Sequence, residues 1–211
     1  MSARRIWDIT QRLDAATPLW PGEPAIVVSR HVEMGEGTPV NVGSVSLPLH
    51  AGTHADAPVH YQAQGLSSVD VELEPYIGQC VVLDVTGAGV RVEQGDLDWD
   101  RVRGETRVIL RTFERFPHDR WVSDFKAIAH DVIARLRDMG VVLIGTDAPS
   151  LDPETSKSMD AHAEIAAGDM RILEGLVLDS VPEGRYELIA LPLPIAGADA
   201  SPVRAILRDL A

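Results

Sequence analysis

Three of the seven histidines in this 211-residue chain fall within one short segment, His50-Ala-Gly-Thr-His54-Ala-Asp56-Ala-Pro58-Val-His60. Neutral imidazole and carboxylate are the natural ligands of zinc and, with less preference, of manganese or iron. The small residues between them, Ala51, Gly52, Ala55 and Ala57, let the backbone curl closely around an ion. A single histidine reads as structural; this cluster reads as a metal site. His50, His54 and Asp56 supply three ligands, which leaves a coordination position for water, as catalytic zinc sites do. His60 lies beyond Pro58, and spacing leaves it either a fourth ligand or a proton carrier. The segment is not the helical H-E-x-x-H arrangement, because no glutamate follows His50 and Gly52 interrupts it.

Other candidate ligands come much later: Asp147, Asp152, Asp160, His162 and Glu174. From composition alone each reads as a surface group, since acidic residues are mostly exposed. Serine and cysteine chemistry finds less support. There is no G-x-S-x-G elbow. The one cysteine, Cys80, lies in an apolar run and reads as a small buried hydrophobe. With one cysteine the chain forms neither an internal disulfide nor a thiolate zinc cluster. His31, His118 and His130 read as surface or structural residues.

The elements that must position these groups are short strands with few helices. Ile6 to Thr10 and Ala25 to Val32 read as strands, separated by a proline-rich loop from Thr17 to Pro24 that disfavours helix. Val45, Leu47 and Leu49 alternate with Ser44, Ser46 and Pro48, the period of a half-buried strand. Gly52 and Pro58 argue for a loop through the histidine segment. Cys80 to Val85, Val108 to Arg111, Val141 to Gly145 and Tyr186 to Leu191 are compact strand candidates. The clearest helix is Ser123 to Met139, whose Phe125, Ile128, Val132, Ile133, Leu136 and Met139 make one apolar face, with Ser123 as its cap and Gly140 as its stop. Ala161 to Met170 reads as a shorter helix, and Pro202 to Leu210 as a final helix or a strand. The class is α/β, in one domain spanning 1–211 or one that pairs with a copy of itself.

The bulk numbers narrow the partners. A formal charge of -13 repels a phosphate backbone, so nucleic acid is excluded as a partner. The hydrophobic fraction of 45% supports a real core. No apolar run is long enough to span a bilayer, and Met1 to Asp8 does not read as a secretory signal, so the expected location is the cytoplasm.

The histidine segment resembles the H-x-G-T-H-x-D-x-P-x-H signature of the cyclase-like metal hydrolases. Within that family the chain is most similar to the bacterial kynurenine formamidases. The likeness extends to Trp20-Pro21-Gly22, to Gly145-Thr146-Asp147-Ala148-Pro149-Ser150 and to the segment from His162 to Glu174. It implies two zinc ions per chain, with manganese the alternative metal. His50, His54 and Asp56 would hold one; Asp56, His162 and Glu174 would complete the second, with carboxylates bridging. It further implies that His60 carries the proton, that Trp20 lines the substrate pocket, and that the fold is a swivelling β/β/α domain forming a homodimer. From sequence, Trp20 reads either as a core residue or as a pocket wall, and its proline-rich loop favours the wall. The activity implied is hydrolysis of N-formyl-L-kynurenine, a small molecule, in tryptophan degradation. A cyclic-amide hydrolase of the isatin type and a non-catalytic metal-binding domain are the competing readings.

Overall fold

The computed structural model describes residues 4–210. Thirteen strands are present among them: β1 (Ile6–Asp8), β2 (Val27–Val32), β3 (Val42–Ser46), β4 (His54–Asp56), β5 (Ile77–Asp84), β6 (Arg91–Val92), β7 (Arg107–Arg111), β8 (Ala127–Ile128), β9 (Leu143–Thr146), β10 (Arg171–Glu174), β11 (Gly184–Ile189), β12 (Ala200–Pro202) and β13 (Ile206–Asp209). The helices are α1 (Trp99–Val102), α2 (His130–Asp138) and α3 (Asp160–Ala167). Among the described residues, nine strands form one mixed sheet in the order β1-β13-β11-β5-β7-β9-β10-β4-β12. Its centre, β5-β7-β9-β10, is parallel, and both flanks are antiparallel.

The central strands are continuous apolar runs because both of their faces are covered. Val81, Leu83, Val108, Leu110 and Ile144 point to one side and pack under Val132, Ile133 and Leu136 of α2 and Ile165 of α3. Val82, Ile109 and Leu143 point to the other side. There they share a core with Ala55 of β4 and with Leu188 and Leu207 of β11 and β13. Those strands lie near opposite ends of the strand order, so the sheet is curled around its second core.

The mixed α/β expectation stands, and several boundaries change. The helix expected from Ser123 begins only at His130. Residues 127–128 instead form β8, parallel to β6, and the Ile128 N–H donates to the Leu151 carbonyl at 2.8 Å. Phe125 and Ile128 are buried, so their spacing matched a helix face although the backbone is extended. Ser123 is an exposed turn residue and caps nothing. The expected stop is present: Gly140 has φ +87°, Gly140 N–H donates to Arg137 O and Val141 N–H to Leu136 O, a Schellman closure. The half-buried strand expected around Val45 is an exposed arm. Among the described residues β2 and β3 pair only with each other, and Val28 and Val45 are 75% and 59% exposed. The histidine segment is not all loop, because His54–Asp56 is a buried strand between β10 and β12. The C-terminal segment resolves as strand β13.

Candidate metal centre

β4 is only three residues long, and two of them are candidate ligands. Pairing with β10 sets Glu174 opposite His54 and Ile172 opposite Asp56, so the sheet register brings together groups about 120 positions apart. Two glycines make that approach fit. Gly52 (φ +63°) turns the chain from His50 into β4, and Gly175 (φ +62°) turns it away after Glu174. A Cβ on Gly175 would stand 2.4 Å from the Gly52 carbonyl oxygen, so no larger residue fits this crossing. Thr53 ties the two turns by donating its hydroxyl to the Gly175 carbonyl at 2.6 Å.

The ligand atoms converge. His50 Nδ1 lies 3.2 Å from His54 Nε2 and 3.1 Å from Asp56 Oδ1, and His54 Nε2 lies 3.3 Å from the same oxygen. Bonds of 2.0–2.1 Å to a tetrahedral ion place neighbouring ligand atoms about 3.3–3.4 Å apart, so this triangle has the dimensions of one face of such a site. The other Asp56 oxygen faces His162 Nε2 at 3.5 Å. Glu174 stands between the two groups, with Oε2 3.4 Å from His54 Nε2 and Oε1 3.9 Å from His162 Nε2. His60 also falls within ligand range of Asp56 and His162, so geometry alone allows it either role.

The donor set fits a metal. Both Asp56 oxygens are buried and, among the described residues, neither has a hydrogen-bond partner, an arrangement costly for a carboxylate unless a cation supplies the missing contact. Charges point the same way. Burial disfavours imidazolium at His54 and at His162, yet the carboxylates facing them overcome it and hold both up to about 10: Asp56 and Glu174 for the first, Asp152 and Asp56 for the second. Against the cost of its own burial, Asp56 is held well below the usual carboxylate range by His162, His50 and His54. The pocket therefore calls for positive charge, which a divalent ion supplies without protonating its ligands.

Each ring is also aimed from behind, as metal-binding histidines are. His54 Nδ1 is 2.9 Å from the Gly52 carbonyl, which leaves Nε2 facing inwards. His162 Nδ1 is 2.6 Å from Asp152 Oδ2. The same carboxylate accepts the N–H groups of Ala161 (3.0 Å) and His162 (3.1 Å), so Asp152 both caps α3 and orients its histidine. His50 Nε2 is 3.3 Å from Asp199 Oδ2, which also lies 3.8 Å from His60 Nδ1. Partial burial and its neighbours His50 and His162 push His60 below the ordinary histidine range, despite opposing pulls from Asp56 and Glu174.

Asp152 and Asp147 correct the composition-based reading of surface acids: both are buried. Asp147 accepts from the Thr112 N–H and hydroxyl and from the Phe113 N–H, at 2.6–3.0 Å. It thereby ties the end of β9 to the loop that leaves β7 beside the site. Burial pushes its carboxyl up to about 6, although these three donors favour the charged form. Asp199, which sequence reasoning passed over, has no local signal: it is one acid in a loop, brought to His50 by the pairing of β12 with β4. Asp160, by contrast, is exposed at the start of α3.

Above the ligands opens a cavity of about 300 Å³ with His54, His60, His162 and Glu174 in its lining. Its wall includes Trp20, whose ring packs edge-on against Trp121 with 5.3 Å between centroids. Fold and site together define a mixed α/β protein with a buried histidine–carboxylate cluster suited to a metal ion.

Residues 7–153 match the family described as putative cyclase. The chain is 66% identical over 207 residues to the kynurenine formamidase of Sphingopyxis alaskensis, covering 98% of this chain and 99% of that one. It is 51% identical over 209 residues to that of Erythrobacter litoralis, covering 99% and 96%. A solved structure described as a potential metal-dependent hydrolase with cyclase activity superposes with a TM-score of 0.85 at 28% identity, covering 99% of this chain and 100% of that one. The chain belongs to this cyclase family and is an amide hydrolase. No helix among the described residues is long and apolar enough to cross a membrane.

Proposed function

We propose that the chain hydrolyses N-formyl-L-kynurenine to L-kynurenine and formate in tryptophan degradation, in the cytoplasm, using two zinc ions per chain. The observation that carries this reading is the 66% identity, over nearly the whole of both chains, to a protein named kynurenine formamidase. That relationship favours an open-chain aryl formamide over a cyclic amide. His50, His54 and Asp56 would hold the first ion, and Asp56, His162 and Glu174 would hold the second. When bound, the metal supplies Lewis acidity and a water of lowered pKa.

The reaction adds water across the formyl C–N bond. Hydroxyl joins the formyl carbon, the bond to nitrogen breaks, and nitrogen must receive a proton because an anilide is a poor leaving group. His60 lies at the cavity edge of the ligand cluster, with Asp199 beside its Nδ1. In this reading it takes a proton from water and returns it to the departing nitrogen. Trp20 offers the aryl ring a flat apolar face. The exposed valines of the β2–β3 arm supply an apolar surface that supports a homodimer.

Purified protein should release kynurenine from N-formylkynurenine and carry about two zinc ions per chain, as a two-metal site requires. Turnover should be lost on chelation and regained with zinc. Turnover of isatin but not of N-formylkynurenine would overturn the substrate assignment, and absence of stoichiometric metal would overturn the ligand assignment. Manganese in place of zinc would change the ion and leave the ligand set standing.

A further inference from the structure

Neither the metal ligands nor the aromatic wall accounts for the charged groups that line the same cavity. Among the described residues lining it, Arg120 is the one with a permanent positive charge. Its guanidinium is largely exposed and meets only Asp119 Oδ1, loosely, at 3.7 Å. Next to it in the chain, the Trp121 indole N–H donates to Glu154 Oε2 at 2.9 Å, which fixes a half-buried carboxylate on the same wall. A second acid, Glu23, is exposed on the proline-rich loop and has no such anchor. The wall therefore presents one free guanidinium and one positioned carboxylate, joined through Trp121. Trp121 in turn packs against Trp20.

A neutral aryl amide has no use for this pair. We propose that Arg120 and Glu154 form the subsite for the ionised α-amino-acid end of the substrate, Arg120 taking the α-carboxylate and Glu154 the α-ammonium. A guanidinium presents paired N–H groups that match a carboxylate. Glu154 is already immobilised at one oxygen, so it loses little freedom on binding an ammonium. The inference rests on the formamidase reading, because only that reading gives the substrate an amino-acid end.

The test compares two formamides that share the reacting bond and the aryl ketone: N-formylkynurenine and 2′-formamidoacetophenone, which lacks the amino-acid end. The wild type should prefer the first. In Arg120→Ala the ratio of the two kcat/KM values should fall about 10-fold or more, the scale of a charge-assisted hydrogen bond, and the fall should appear in KM. Arg120→Lys should recover part of the preference. Glu154→Gln keeps an oxygen for the Trp121 indole while losing the charge, and should also lower the ratio. An unchanged ratio in Arg120→Ala and Glu154→Gln, with both compounds still turned over, would overturn the subsite and leave the formamidase reading intact. Hydrolysis of neither compound by the wild type would overturn both.

Discussion

Asp152 is the position where one substitution should separate helix capping from metal binding. Its carboxylate accepts two backbone N–H groups at the start of α3 and lies 2.6 Å from His162 Nδ1, all in a buried setting. In Asp152→Ala the lost cap should cost about 1–2 kcal/mol. The buried His162 ring nitrogen left without its partner should add about 1–3 kcal/mol. The apoprotein should therefore unfold roughly 10 °C lower, at 2–4 °C per kcal/mol for a chain of this size. Comparing apoproteins matters, because bound metal would add its own stabilisation. Without Asp152, the His162 ring is also free to turn and to place its proton on Nε2, the atom that faces Asp56 and Glu174. Loss of such a supporting contact should weaken metal binding about 10–100-fold. Zinc affinity by competition with a chromophoric chelator, beside calorimetry of the apoprotein, reads the two effects separately. A lower melting temperature with unchanged zinc affinity would refute the orienting role and leave Asp152 a helix cap only.

Three further outcomes are expected. His60→Ala should keep its metal and its fold while kcat for the formamide falls roughly 10²–10⁴-fold; loss of metal from the variant, read by elemental analysis, would make His60 a ligand instead. Gly175→Ala sets a Cβ against the Gly52 carbonyl at a left-handed backbone position, and should cost about 2–4 kcal/mol in chemical denaturation; a variant of wild-type stability would mean that the crossing of the two turns can relax. Trp20→Ala should weaken binding of the aryl substrate by about 1–3 kcal/mol, read in KM, whereas a collapse of thermal stability with KM unchanged would make Trp20 a packing residue.

The first three ligands were legible in the sequence because they are local: His50, His54 and Asp56 fall within seven residues, separated by small ones. His162 and Glu174 carried no such signal and were reached only through family resemblance. Asp152 was read as a surface acid and Asp199 was passed over, both for a physical reason. Each is a single acid whose partner is distant in sequence, ten residues away for Asp152 and 149 for Asp199, and only the start of α3 and the β12–β4 pairing bring them into place. The apolar centre of the sheet was readable from its runs of Val, Ile and Leu. The start of α2 was not, because Phe125 and Ile128 recur at a spacing that fits a helix face and also fits two buried residues of an extended turn. Alternation at Val45 suggested a half-buried strand, but it identifies a strand without saying whether anything covers it. In this chain nothing among the described residues covers the arm.

The placement of β4 has a consequence for how the protein breathes. β4 is a three-residue strand near one end of the sheet, held on one side by β10 and on the other by the equally short β12. Strands that short contribute few ladder bonds, so this margin should open well below the cost of global unfolding. The candidate ligands come from β4, the turn before it, β10 and α3, so an ion held by all of them would act as a rivet through this short-stranded margin of the sheet. Amide hydrogen exchange should then show fast exchange at Ala55 and Ser201 in the stripped protein and marked slowing on zinc addition, while Ile109 and Ile144 at the sheet centre stay slow in both. On this view metal supply governs the lifetime of the folded margin as well as the chemistry, and metal-starved protein would be cut there first by proteases.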